Sequence, residues 1–263
     1  LTFDIVLCII DVMEETTVDK SKIKLKLISK DTAKALIIEN HYTHQCSQAT
    51  IPIGIFYESP IENVLFTDPD KLIGVIIYNT PVGRDVWKSI SSVLKPGQVF
   101  ELTRLWIADG YGKNIESYCI ARSFDWLRAN QPKIKCLISY ADPSENHLGI
   151  IYQATNWMYQ KVSSGNDMYH KSLFYYSFDE CKTWTHQKTI FDKYQVGGLS
   201  QLKELLPKPF WIKNISKKHR YIYILTTDKK EKREILKTLK YEVSPYPKSI
   251  DDSSTDPIVK IDA

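Results

Sequence analysis

Two successive stretches hold the residues best suited to chemistry. In Glu101-Leu-Thr-Arg-Leu-Trp-Ile-Ala-Asp-Gly-Tyr-Gly-Lys-Asn-Ile-Glu-Ser-Tyr118, an arginine on a strand-like segment precedes a polar loop with two glycines, and a helical pattern follows. Loop amides and a helix N-terminus together attract anions. Arg104, Gly110, Gly112, Lys113 and Asn114 are therefore candidates for holding a phosphate, and Ser117, one turn into the helix, could hold a thioester or phosphate oxygen. A plain turn and cap would use the same residues, and a strand arginine can face solvent, so both readings stand. The second stretch, Cys136-Leu-Ile-Ser-Tyr-Ala-Asp142, reads as a buried strand with Tyr140 and Asp142 near its carboxyl end. Asp142 precedes Pro143 and could cap the next helix, or burial beside Tyr140 could raise its proton affinity and suit it to general-base work. Tyr140 and Tyr152 are alternative proton donors, or core tyrosines.

The elements that must position these groups follow from periodicity. Ile23 to Ile28 alternates and predicts a strand, and Ser29 or Asp31 caps a helix through Ala33 to Glu39. Gly54 to Tyr57 and Leu72 to Tyr78 predict the next strands, with a Pro/Asp-rich turn region between them. Thr80 to Gly97 reads as a short helical or irregular insertion around Trp87. A strand at Val99–Ile107, a helix at Ile115–Asn130, a strand at Lys135–Tyr140 and an apolar helix at Leu148–Tyr159 complete one mixed α/β domain. Its two strand–loop–helix units set their polar ends side by side, where open α/β sheets hold ligands.

Beyond residue 160 the texture changes. A turn at Ser163–Asn166, a strand at Leu173–Phe178 and a polar aromatic stretch at Thr183–Thr189 precede a short helix, Leu199 to Leu206, stopped by Pro207 and Pro209. Lys217-Lys-His-Arg-Tyr-Ile-Tyr-Ile-Leu225 sets a basic cluster before a strand. Lys229 to Lys240 reads as a basic helix packing Ile235, Leu236 and Leu239. The acidic tail from Ser249 reads as exposed or disordered. The expected division is an extension at 1–22, an α/β core at 23–160, a basic and aromatic α+β extension at 161–248 and a tail at 249–263.

A chain of 263 residues, 43% hydrophobic, can bury one substantial core. A formal charge of +4 permits a nucleic-acid partner without demanding one. Five dispersed cysteines without a CxxC pair point to a reducing compartment and to no cysteine-based zinc site. The apolar run Ile5–Ile10 is too short to cross a bilayer. His41 and His44 are three apart, yet no complete metal-ligand set is visible. A solvated charged face accounts for Lys217, Lys218, His219, Arg220 and the basic helix as readily as a DNA footprint does, and neighbouring Trp184, Tyr221 and Tyr223 add rings that could stack on bases.

Glu101-Leu-Thr-Arg-Leu-Trp106, Lys113-Asn-Ile-Glu-Ser117, Ser139-Tyr-Ala-Asp-Pro143, His147-x-Gly149 and Ile151-Tyr-Gln-Ala-Thr-Asn-Trp157 together resemble the Mom-like DNA-modification proteins of bacteriophage Mu and its relatives, a family placed in the GNAT acyltransferase superfamily. The resemblance is dense over residues 99 to 159, reaches Asn40-His-Tyr42, and extends to Lys218-His-Arg-Tyr221 and Pro245-Tyr-Pro-Lys248. It implies a mixed sheet splayed between its fourth and fifth strands and flanked by helices. It also implies conversion of adenine in DNA to its N6-carbamoylmethyl form, protecting phage DNA from restriction in the host cytoplasm.

Under the same resemblance, Asp142 serves as base toward a flipped adenine, with Tyr140, Tyr152 and Ser117 in the catalytic set. Acetyl-CoA or a related acyl-CoA occupies the Arg104 to Ser117 region, and duplex DNA meets His41, Tyr42, Lys217, Lys218, His219, Arg220, Tyr221 and Arg233. A non-haem iron is a further cofactor option, and a homodimer an option for assembly. The loop Asp109-Gly-Tyr-Gly-Lys-Asn114 departs from the GNAT pyrophosphate pattern Q/R-x-x-G-x-G/A, and a carbamoylmethyl amine needs a new bond to an sp3 carbon, which acyl transfer alone does not make. Two rival readings are a GNAT-type N-acyltransferase acting on a small amine, peptide or tRNA, and a non-enzymatic DNA-binding module on the same fold.

Overall fold

The computed structural model describes residues 18–58, 70–162, 174–206, 209–214, 218–249 and 258–262. In chain order the elements are β1 (Ile23–Leu27), α1 (Lys30–Asn40), β2 (Ile51–Glu58), β3 (Asp70–Asn79), β4 (Val99–Ile107), α2 (Ile115–Asn130), β5 (Cys136–Ala141), α3 (Ile150–Gln153) and β6 (Met158–Val162). There follow β7 (Phe174–Ser177), β8 (Thr185–His186), α4 (Gln187–Tyr194), α5 (Leu199–Leu205), β9 (Phe210–Asn214), β10 (His219–Ile224), α6 (Lys229–Lys237) and β11 (Val259–Ile261). Seven strands form a mixed sheet in the order β1-β2-β3-β4-β5-β10-β6, and four form a second in the order β11-β9-β7-β8. The chain divides into two compact units, one reaching Tyr78 and resuming at Arg104–Trp126, the other comprising Asn79–Thr103 and the chain from Leu127 onward.

In the first unit, Ser29 caps α1 by accepting the Thr32 amide at 3.0 Å. Ala33 and Ile37 of α1 pack with Ala49, Val75 and Ile77, and the half-buried Trp106 borders that cluster. Gly74 marks how closely β4 approaches: a Cβ there would lie 2.5 Å from the Trp106 carbonyl oxygen and 2.9 Å from Ile107 Cα, so no side chain fits.

In the second unit, β4 and β5 run parallel for three rungs, Val99 with Cys136, Phe100 with Leu137 and Glu101 with Ile138. The ladder stops there, although both strands continue. At the next position the Ser139 hydroxyl, not a backbone amide, reaches the Leu102 carbonyl at 2.8 Å. This is the junction of the fourth and fifth strands, where the resemblance places the splay. β10 closes on β5 in antiparallel register from His219 opposite Ala141 to Ile224 opposite Cys136. Ile90, Leu94, Val99, Ile138, Ile222 and Ile235 fill the core beneath them. The second sheet has its own core, where Tyr176, Phe210 and Ile212 meet Ile190 of α4 and Leu202 and Leu206 around α5.

Several expectations change. The helix expected over Leu148–Tyr159 is a single turn, and Met158 and Tyr159 belong to β6. Thr155 bonds back to the Ile151 carbonyl at 2.8 Å, Asn156 takes φ +59°, and the Trp157 amide closes on the Tyr152 carbonyl at 3.1 Å, which ends the helix. Leu236, expected on the packed face of α6, is 41% exposed, whereas Ile235 is buried and Leu239 packs half-buried. The polar aromatic stretch at 183–189 forms β8 and the start of α4, capped by His186, whose Nδ1 accepts the Lys188 amide at 3.1 Å. In the tail, Val259–Ile261 pairs with Phe210–Ile212. The turn at 163–166, the Pro/Asp-rich stretch between β2 and β3, the first seventeen residues and Lys217 lie outside the described residues.

Candidate active site

In the first unit, β4 delivers Arg104 and then the loop into α2. Gly110 and Gly112 sit at φ +90° and +86°, and Asn114 at φ +60°. Three left-handed positions within five residues turn the chain sharply, which explains the two glycines and the asparagine. Gly110, Gly112, Lys113 and Asn114 are exposed. A Cβ on Gly110 would meet nothing within 4 Å, so backbone conformation and not crowding requires that glycine. Lys20 donates to the Lys113 carbonyl at 2.7 Å. Ser117 donates to the Asn114 carbonyl at 3.1 Å, so its proton is engaged in the first turn of α2 while its oxygen can still accept.

Arg104 Nε donates to the Gln45 carbonyl at 3.0 Å, tying β4 to the loop after α1. That loop carries His41 and Tyr42, whose rings stack with centroids 4.3 Å apart. His41 Nδ1 accepts the Thr43 amide at 3.2 Å, so its proton lies on Nε2. His44 Nδ1 lies 2.9 Å from the Ile38 carbonyl and must donate to it. The two histidines thus hold opposite tautomers, and His41 in this arrangement does not present an Nε2 lone pair. Among the described residues no group of three or more His, Cys, Asp or Glu could hold a metal ion. Cys46 beside this loop has its thiol pKa pushed up by burial, with Arg104 and Lys34 opposing, and Cys119 and Cys136 are pushed up to about 12, so burial keeps these thiols protonated.

In the second unit, Asp142 follows β5 with its side chain 21% exposed and paired with Lys218 Nζ at 3.5 Å. Its carbonyl accepts the amides of Glu145 and His147, both at 3.1 Å, so the backbone closes the turn that follows β5. Tyr140 is half-buried, and desolvation pushes its hydroxyl up to about 12 against the opposing pull of Arg220. Tyr152 is buried, and its hydroxyl lies 2.8 Å from Ser139 Oγ, which is equally close to the Leu102 carbonyl. One serine hydroxyl therefore bridges Tyr152 to the strand junction. Sequence reasoning passed over Ser139; a lone serine within the apolar run of β5 was the available signal.

Behind Tyr152 lies an aromatic stack: Tyr152 with Tyr221 at 5.3 Å, Tyr221 with Tyr159 at 5.1 Å, and Tyr159 with His219 at 5.6 Å. The Tyr159 hydroxyl and His219 Nδ1 are 2.8 Å apart, and Tyr221 donates to the Leu148 carbonyl. Both His219 and Tyr221 are buried, so they support the site from within and do not lie on the basic surface. Arg220 is similarly placed inward, donating to the Ser89 carbonyl at 3.0 Å and to Ser89 Oγ at 2.9 Å, with its guanidinium 4.9 Å over the Tyr241 ring. Lys218 and, on α6, Arg233 are exposed.

The second sheet brings two residues to the Asp142 end of β5 that the sequence did not single out. The Tyr175 hydroxyl is raised above its ordinary range by burial and then by the carboxylates of Asp142 and Glu145. His186 is shifted down by partial desolvation of its ring, although the residue is exposed, and then by Lys188 and Lys218. The set can bind an anion at Lys218, accept a proton at Asp142, and offer aromatic faces close by.

The chain is 24% identical over 228 residues to the methylcarbamoylase Mom of Escherichia phage Mu, covering 86% of this chain and 84% of that protein. Among solved structures it is similar to a spermidine N-acetyltransferase from Vibrio cholerae in complex with CoA and spermine, at TM-score 0.37 and 10% identity, covering 78% of this chain and 96% of that one. An N-acetyltransferase from Staphylococcus aureus Mu50 matches at TM-score 0.37 and 11% identity, over 77% and 97% of the two chains. An aminoglycoside acetyltransferase in complex with coenzyme A and kanamycin matches at TM-score 0.35 and 13% identity, over 53% and 86%. Matched by that family's sequence model over residues 22–248, the chain belongs to the Mom protein family.

Proposed function

We propose that this protein modifies adenine in DNA, placing a carbamoylmethyl group on the exocyclic amine and so shielding the DNA from restriction. The observation that carries this reading is the family match, which runs from residue 22 to 248 and includes Arg104, the glycine loop, Asp142 and Lys218. The relative in phage Mu bears the name methylcarbamoylase. The amine of adenine is a weak nucleophile because its lone pair is delocalised into the ring, so a base must take its proton as the carbon–nitrogen bond forms. Asp142 would take that proton. Lys218 at 3.5 Å holds the carboxylate in position. Ser139 and Tyr152 keep the adjoining strand junction polar inside an otherwise apolar core.

A donor bearing phosphates, such as an acyl-CoA, fits the chemistry of the exposed loop from Gly110 to Asn114, with its lysine and the start of α2. Lys113 and the loop amides would hold its phosphates. Arg104 steadies β4 against the His41–Gln45 loop.

The test is nucleoside mass spectrometry on DNA from cells making this protein, beside cells making Asp142→Asn. A new adenosine species in the first culture and a reduction of at least about 100-fold in the second, the scale of losing a general base, is the expected result. The added mass identifies the transferred group. Unmodified DNA from cells holding folded wild-type protein would turn the reading toward a small-amine acyltransferase or a non-catalytic DNA-binding module.

A further inference from the structure

The second sheet has a face that the proposed chemistry does not use. On its core side Tyr176, Phe210 and Ile212 are buried. Alternation along the strands then sends Tyr175 and Lys213 to the other side, where they are cross-strand partners, and His186 of β8 is Tyr175's partner on the other flank. The row therefore reads Lys213, Tyr175, His186 across three strands. Its ring contacts are specific: His186 meets Tyr175 edge-on at 5.7 Å, and the Lys213 ammonium lies 5.8 Å from the Tyr175 ring centre and 4.4 Å from that of Trp184. Tyr175, Trp184 and Lys213 are half-exposed and His186 is exposed.

We infer that this face is a binding platform for a locally unstacked DNA strand, with Tyr175 and Trp184 receiving bases and Lys213 a phosphate. Three arguments select that occupant. Aromatic rings interleaved with a cation on the open face of an antiparallel sheet suit bases and phosphates together, because every base has a π-face and every linkage a negative charge. The row carries its own cation, Lys213, and Lys188 and Lys218 both act on His186, so cations stand at the row beside the carboxylates that face Tyr175. The row also adjoins the proposed acceptor site, because Asp142 and Glu145 act on the Tyr175 hydroxyl. Extruding one base unstacks its neighbours, and a ring platform beside Asp142 would offset that cost.

The inference rests on the DNA-modification reading for the identity of the strand, and the experiment separates the two. Binding of a labelled duplex with one unpaired adenine is compared with that of the fully paired duplex for wild type, Tyr175→Ala, Trp184→Ala, Tyr175→Phe and Lys213→Gln, each confirmed folded by near-ultraviolet circular dichroism. Modified nucleoside is measured in parallel. The expected result is tighter binding of the unpaired-adenine duplex by wild type, a loss of about fivefold or more in each alanine variant, near-complete retention in Tyr175→Phe, and a shallower salt dependence in Lys213→Gln. Alanine variants that bind the unpaired-adenine duplex as wild type does would overturn the platform, even if modification proceeds. A wild-type protein that binds as expected but forms no modified nucleoside would leave the platform standing and overturn the enzymatic reading.

Discussion

At the scale of single residues, Gly149 shows how tightly the candidate site is built. It sits at φ +73°, and a Cβ would lie 2.5 Å from Tyr221 Cε2, 2.9 Å from its Cζ and 3.0 Å from Tyr152 Cδ2. Both ring systems belong to the buried stack behind Ser139, so neither can retreat without disturbing the junction. Backbone strain and overpacking then add, and Gly149→Ala is expected to cost about 2–4 kcal/mol. Urea unfolding checks this, and a midpoint unchanged from wild type would show that the stack is loose. The histidine-x-glycine pair was visible in the sequence, but the reason for its glycine was not, because the crowding comes from Tyr221, distant in sequence. For the same reason His219 and Arg220 read as part of a basic cluster and Tyr221 as a ring to stack on bases, whereas all three side chains turn toward partners inside the fold.

Among the elements, legibility follows the length and regularity of the pattern. β4, α2 and β5 were readable because they are long for their kind, nine, sixteen and six residues, and because β5 is a mostly apolar run that ends on polar groups. The second sheet was largely hidden: β8 has two residues, β9 follows a proline-broken stretch, and β11 is ordered by pairing with β9. The hairpin joining β7 and β8 instead rests on Asp179. Its carboxylate accepts from Ser177 Oγ at 2.8 Å, the Thr183 amide at 2.9 Å and Thr183 Oγ1 at 2.6 Å, across a loop in which Glu180 and Cys181 are left-handed. These bonds favour the charged form and lower its pKa to about 2. Because the folded value is depressed, the group's contribution is present above the ordinary carboxylate range and is lost as pH falls through about 2. Amide exchange should therefore show Thr183 protected at pH 3 in wild type and unprotected in Asp179→Ala. Equal protection in both would show that other contacts hold the hairpin carrying Trp184.

For the whole molecule, the small net charge of +4 means that any hold on DNA comes from where the cations lie, not from their sum. α6 concentrates them: Lys229, Lys230, Lys232, Arg233 and Lys237 are exposed, while Ile235 anchors the opposite side in the core and Asp228 caps the first turn through the Glu231 amide at 2.8 Å. Glu231, the acidic residue of that first turn, pairs with Lys135 at 3.2 Å, so of the helix's exposed charges five are basic and Glu234 is acidic. If DNA lies along α6, each lysine or arginine that meets a phosphate releases counterions on binding. Replacing Lys230, Lys232 and Arg233 together with glutamine should then lower the slope of log affinity against log salt by about 2 to 3. Such backbone contacts set affinity and carry no base information, so the preference for an unpaired adenine should survive. Titration of a labelled duplex across a range of salt concentrations measures both quantities. An unchanged slope would assign α6 to the solvated surface and leave the Lys213 face and Lys218 as the cations that meet DNA.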